Sequence, residues 1–119
     1  MNNYNEGGFM EILTRKDKGA TIISVKGRMD AVTAPEFEKS LSDLILKGEN
    51  TFLVNLSGLE YISSAGLRSI LATAKKLKGS QGKIFFAGLQ GPVEEVFKIS
   101  GFHSIFKIFD TQEAALKEI

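Results

Sequence analysis

Two short apolar runs separated by one helix-length segment constrain this chain more than any other feature. TFLVNL at 51–56 and KIFFA at 83–87 are nearly continuous in apolar residues, as strands covered on both faces tend to be. Between them, Leu67, Ile70, Leu71, Ala74 and Leu77 recur at helical spacing and Gly79 supplies a stop. Strand, helix and strand in that order require a crossover, which is right-handed in nearly all proteins and leaves the two strands parallel.

The flanking segments extend this unit. Residues 9–15 and 20–26 are rich in β-branched and apolar types, with Asp17-Lys18-Gly19 as a turn between them, so a hairpin is expected, ended by Gly27. Thr33 and Glu36 have capping-box spacing and Pro35 suits a first helical turn. Phe37, Leu41, Leu44 and Ile45 then mark one buried helix face up to Gly48. Gly91-Pro92 opens a third helix carrying Val93, Val96 and Phe97. A short edge strand is expected at 105–109, and Asp110 with Glu113 can start a last helix. The predicted fold class is α/β: a small mixed β-sheet of four to five strands with about four helices packed on it. Residues 1–8 read as a disordered or frayed lead-in, and 9–119 as a single domain.

Composition removes several classes of function. The 119 residues are 43% hydrophobic, enough for a core, and carry 15 basic against 14 acidic side chains. Nucleic-acid binders rely on a basic excess for phosphate contacts, so no nucleic-acid partner is expected. There is no cysteine and only one histidine, His103. A metal site or a Ser-His-Asp triad therefore lacks its parts, and no cofactor is expected. No apolar run reaches the roughly 20 residues that cross a bilayer, and the polar N-terminus has no secretory apolar stretch. The expected location is the cytoplasm, with no membrane association.

The stretch NLSGLEYISSAGL, residues 55–67, leaves a buried strand, makes a loop, and enters a helix through two consecutive serines. Serine is a common N-cap because its hydroxyl accepts from an otherwise unpaired N–H of the first turn. The same position favours an added phosphate, whose charge meets the positive end of the helix dipole. Such a charge leaves the fold intact, yet it is costly to desolvate in a contact with a partner. Both readings of Ser63 and Ser64 stay open on these grounds.

This stretch, taken with Gly27-Arg28-Met29-Asp30, Thr33-Ala34-Pro35-Glu36-Phe37 and the Gly91-Pro92-Val93 to Phe102 region, closely resembles the STAS family. That family comprises bacterial anti-sigma factor antagonists and related domains of sulphate transporters, and the similarity runs over nearly all of 9–119. The resemblance implies a non-enzymatic, phosphorylation-switched binding module. Its unphosphorylated form would hold a serine kinase that doubles as an anti-sigma factor, freeing the sigma factor and so regulating transcription. A PP2C-type phosphatase would reset it. The resemblance makes Ser64, two residues before Gly66-Leu67, the phosphoacceptor, with Ser63 the second choice. It places Asp30, Thr33, Ile62, Ser63, Ser64, Ala65, Arg68 and Ser69 on the partner-facing surface, and relatives are often monomeric when free. Many relatives carry aspartate where this chain has Ser63 and where it has Asn55, which lowers the local negative charge here.

The remaining candidates carry less. Asp30 also suits a turn before a helix, and Thr33 also suits a cap. GSQGK at 79–83 lacks the following Ser or Thr and the helix of a phosphate loop, so it reads as a turn. Lys75, Lys76 and Lys78 read as a solvated helix face. Phe97, Phe102, Phe106 and Phe109 read as core, with one or two available to a partner. Rival functions are a partner switch with a non-sigma target, a soluble STAS subunit of a membrane transporter, and a small α/β enzyme or nucleotide binder. The last lacks a cluster of residues able to run chemistry.

Overall fold

A computed structural model describes residues 9–119; the expectation for residues 1–8 lies outside them. Five strands form one mixed sheet in the order β1-β2-β3-β4-β5: β1 Met10–Asp17, β2 Ala20–Met29, β3 Thr51–Ile62, β4 Lys83–Ala87 and β5 Lys107–Phe109. β1 and β2 are the expected antiparallel hairpin, and every other neighbouring pair is parallel. Four helices connect or follow the strands: α1 Ala34–Leu46, α2 Ser64–Gly79, α3 Gly91–Ile99 and α4 Gln112–Glu118.

Strand alternation divides the core between two faces. Phe52, Val54, Leu56 and Phe86 point to the larger core, where Phe37 and Leu41 of α1, Ile70 and Leu77 of α2, and Val93 and Phe97 of α3 cover them. Ile22, Leu53 and Ala87 point the other way and meet Ala115 of α4. Phe86, Phe97, Phe102 and Phe106 form an edge-to-face aromatic chain with centroids 5.0–5.7 Å apart, a geometry that adds to area burial.

Several boundaries differ from the sequence reading. Gly27 does not end β2; it lies inside the strand at φ +96°, and the chain continues to Met29. A Cβ there would stand 2.3 Å from the Phe9 carbonyl oxygen, which accepts from Arg28 N–H at 2.7 Å. Glycine alone tolerates both that dihedral and that approach. The segment 57–62, read as a loop, is instead the second half of β3, paired with β2 through two register shifts out to Met29↔Ile62. β5 is shorter than expected because Ile105 and Phe106 N–H donate back to the Phe102 carbonyl at 3.0 and 2.9 Å, closing a 3-10 turn at 102–104 before the strand begins at Lys107. The cap of α4 is Thr111, which accepts from Ala114 N–H at 3.1 Å, rather than Asp110.

The extended parallel pairing of β2 and β3 has a consequence for position. α1 follows β2 and α2 follows β3, so both helices start side by side beyond the carboxyl ends of the two strands. This is the edge where open α/β sheets place their sites.

Candidate functional site

The two helix starts are capped differently. The expected capping box of Thr33 with Glu36 does not form, since the Thr33 side chain makes no cap hydrogen bond to α1. The box sits one turn earlier, between Asp30 and Thr33. Asp30 Oδ1 accepts from Val32 N–H at 3.0 Å and Thr33 N–H at 3.1 Å, while Thr33 Oγ1 accepts from Asp30 N–H at 2.9 Å. This reciprocal pattern satisfies otherwise orphaned donors. Thr33 Oγ1 also donates to the Arg28 carbonyl at 2.8 Å, which ties the turn to the end of β2. The Asp30 carboxylate thus occupies the mouth of α1.

At α2 the cap is Ser63. It has extended backbone, and its Oγ accepts from Gly66 N–H at 3.3 Å. Its own N–H donates to the Met29 carbonyl at 2.9 Å, and its carbonyl accepts from Leu67 N–H at 3.0 Å, starting the helix. Ser64 is then the first helical residue, exposed, with no hydrogen-bond partner for its Oγ among the described residues. The first turn of α2 holds no acidic residue, whereas those of α1, α3 and α4 hold Glu36, Glu94 and Glu113. The positive end of the α2 dipole therefore has no compensating side-chain anion within its own first turn.

Gly66 lets the two starts come together. A Cβ on it would stand 2.7 Å from Ile62 Cγ1 and 2.9 Å from the Met29 carbonyl oxygen. The backbone at Met29, and with it the Asp30 turn, lies directly against the first turn of α2.

The residues expected on the partner-facing surface separate into two groups. Asp30, Ser63, Ser64, Ala65 and Arg68 surround the start of α2 and retain exposed or half-buried positions. Thr33, Ile62 and Ser69 are each 5% exposed or less. Thr33 serves the turn, Ile62 packs in the core, and Ser69 Oγ donates to Glu38 Oε1 at 2.9 Å across the α1–α2 contact. Their burial commits them to the interior, a distinction that spacing along the chain does not carry.

Three neighbours were not singled out. Arg28 and Tyr61 are register partners on β2 and β3, and the Arg28 guanidinium lies 4.1 Å from the Tyr61 ring centroid. Arg28 Nε is also 3.9 Å from Asp30 Oδ2. Val32, at the tip of the turn, is 66% exposed. In the second half of β3, Leu56, Leu59 and Ile62 are buried while Glu60 and Tyr61 are exposed, and two register shifts against β2 break the alternation that would otherwise mark Tyr61 in sequence. Asn55, by contrast, is engaged elsewhere: its Nδ2 donates to Gln112 Oε1 at 2.8 Å and its Oδ1 accepts from Ser57 N–H at 2.9 Å.

Among the described residues no group of three or more His, Cys, Asp or Glu is set to hold a metal ion, and no helix is long and apolar enough to cross a membrane.

The chain is a mixed five-stranded α/β domain that sets two helix starts side by side, one of them bearing a serine hydroxyl with no hydrogen-bond partner among the described residues. Residues 11–115 match the STAS domain, and the chain belongs to the STAS family. Among its relatives is BtrV of Bordetella bronchiseptica, a proposed anti-sigma factor antagonist, 40% identical over 106 residues, which are 89% of this chain and 91% of BtrV. The fold is similar to the crystal structure of an anti-sigma factor antagonist from Mycobacterium paratuberculosis, with TM-score 0.84, 26% identity, and coverage of 93% of this chain and 94% of that one. It also resembles the Bacillus cell fate determinant SpoIIAA solved in a phosphorylated form, with TM-score 0.72 and 19% identity over 91% of this chain and 98% of that one, a likeness of fold.

Proposed function

We propose that this chain is a cytoplasmic anti-sigma factor antagonist, monomeric when free, whose unphosphorylated form holds an anti-sigma factor serine kinase. Ser64 is the phosphoacceptor. One observation carries the assignment: Ser63 supplies the cap of α2, leaving the Ser64 hydroxyl exposed and without a hydrogen-bond partner among the described residues, in a first turn that holds no acidic side chain. A phosphate there gains the helix dipole and nearby backbone N–H groups, so the fold accommodates it. The same two charges have to be desolvated if a partner covers the site, and that cost opposes binding.

The contact surface comprises the Asp30 turn with Val32, the Arg28–Tyr61 pair, and Ser64, Ala65 and Arg68. Arginine and tyrosine are the residue types that most often dominate interface energetics. Burial removes the side chains of Thr33, Ile62 and Ser69 from that surface; they hold the two helix starts in place beneath it. A PP2C-type phosphatase resets the switch by removing the phosphoryl group.

The test is intact-mass and fragment spectrometry after incubation with ATP and the kinase captured by the unphosphorylated protein. Wild type and Ser63→Ala are expected to gain one phosphoryl group on Ser64, and Ser64→Ala to gain none. Labelling of Ser63 in the Ser64→Ala protein would overturn the site assignment. Capture of a kinase with no hold on a sigma factor would redirect the output to another target.

A further inference from the structure

Some 11 to 14 residues along α2 from Ser64, a distance of about 17–21 Å at the helical rise, the molecule carries a second concavity. It is a groove of about 640 Å³ between the last turns of α2, the start of β4 and the connection into β5. Leu71, Ala74, Ile84, Ile105 and Phe106 give it an apolar lining, and Ile105 is 59% exposed at its margin. Its rim holds Lys75, Lys78, Lys83 and Lys107, and no acidic residue lines it. Lys107 is already paired with Glu118 at 3.3 Å. The other three ammonium groups have no carboxylate partner among the described residues.

From these observations we infer that the groove is a binding site for a small anionic amphiphile, with an apolar body and one carboxylate-like head. The volume lies within the range of small-molecule pockets, roughly 300–1,000 Å³. The apolar lining suits an aliphatic or ring-shaped body, whose burial there removes apolar surface from water. Three unpaired lysines around one opening attract a negative head and repel a positive one. A peptide adding itself as a strand fits less well. β5 pairs with Phe85–Ala87, so only Lys83 and Ile84 of β4 lack a strand neighbour on that side, too short an edge for β-augmentation. The lysines also offset the C-terminal dipole of α2 and guard a sheet edge, but neither role calls for an apolar concavity behind them.

The probe is dodecanoate, titrated below its micelle concentration into the full-length protein by calorimetry and amide NMR. One saturable site is expected, with shifts centred on Leu71, Ile84 and Ile105. Affinity is expected to fall at least about tenfold in Lys75→Gln/Lys78→Gln and in Ile105→Ser. Dodecyltrimethylammonium, with the same tail and opposite head, and acetate, with the head alone, are expected to leave the groove resonances unmoved. The inference is overturned if dodecanoate does not saturate one site, if the cationic amphiphile binds equally well, or if the variants bind as wild type does while retaining its spectrum. Binding at this groove is measured without any kinase, so the outcome is independent of the role given to Ser64.

Discussion

Removing the Ser63 hydroxyl takes away the acceptor for Gly66 N–H at the start of α2. Loss of a serine cap costs about 1 kcal/mol, within a range of roughly 0.5–2. Ser64 has no comparable duty, and an exposed substitution of that kind stays within about 0.5 kcal/mol. Urea unfolding is therefore expected to place Ser63→Ala below wild type and Ser64→Ala level with it, while phosphorylation is lost only in the latter. Equal stabilities would mean that the two hydroxyls are not divided between structure and switching. Gly66 offers a second contrast. Its missing Cβ leaves room for Ile62 and the Met29 carbonyl, whereas a Cβ on Gly79 meets nothing within 4 Å. Gly66→Ala is expected to lose about 1–3 kcal/mol through overpacking, and Gly79→Ala to be neutral or to gain up to about 1 kcal/mol in helix propensity. A Gly66→Ala protein as stable as wild type would contradict the close approach of the two helix starts.

At the scale of elements, the turn into α1 depends on Asp30 rather than on the Thr33–Glu36 pair. Asp30→Ala is expected to lose about 1 kcal/mol and Glu36→Ala much less, by thermal or denaturant unfolding. The reverse order would restore the box that the sequence suggests. The misplacement has a physical cause: two potential boxes one turn apart share Thr33, and only the path of β2 past Gly27 decides between them. The second half of β3 was hidden for a related reason. Ser57, Gly58 and Glu60 look like turn residues, yet parallel pairing with β2 out to Met29↔Ile62 keeps them in the sheet. Local propensity is a weak guide where a neighbouring strand dictates the outcome. What periodicity does carry is plain in α2, where Ile70 and Leu77 fall on the buried face as their spacing requires. The two serines at its start are visible in sequence. Which of them caps depends on the extended backbone of Ser63, and that is visible only in three dimensions.

Across the whole molecule, the proposed switch surface lies at the carboxyl ends of β2 and β3, while a charged tie sits at the opposite end. There, Glu49 receives Lys16 Nζ at 3.1 Å and Thr21 Oγ1 at 3.0 Å. The hydrogen bond from Lys16, followed by that from Thr21, holds the Glu49 carboxyl below its ordinary pKa. A depressed folded-state pKa means that its stabilising contribution is present above the ordinary carboxylate range and is lost as pH falls through the lowered value. Glu49→Gln is expected to flatten the acid limb of a plot of Tm against pH, leaving the switch surface untouched. An unchanged limb would show that Glu49 takes no part in it.

Charge added to Ser64 is held to act on association and not on folding, and the two can be read in the same sample. Partner affinity of the singly phosphorylated and unmodified proteins would be measured by calorimetry against the cognate kinase, alongside Tm and the amide NMR spectrum of each. The expected result is a loss of affinity of at least about tenfold on phosphorylation, with Tm unchanged or raised and spectral changes confined to the starts of α1 and α2. Equal affinities for the two forms, or a phosphorylated protein that has unfolded, would contradict it.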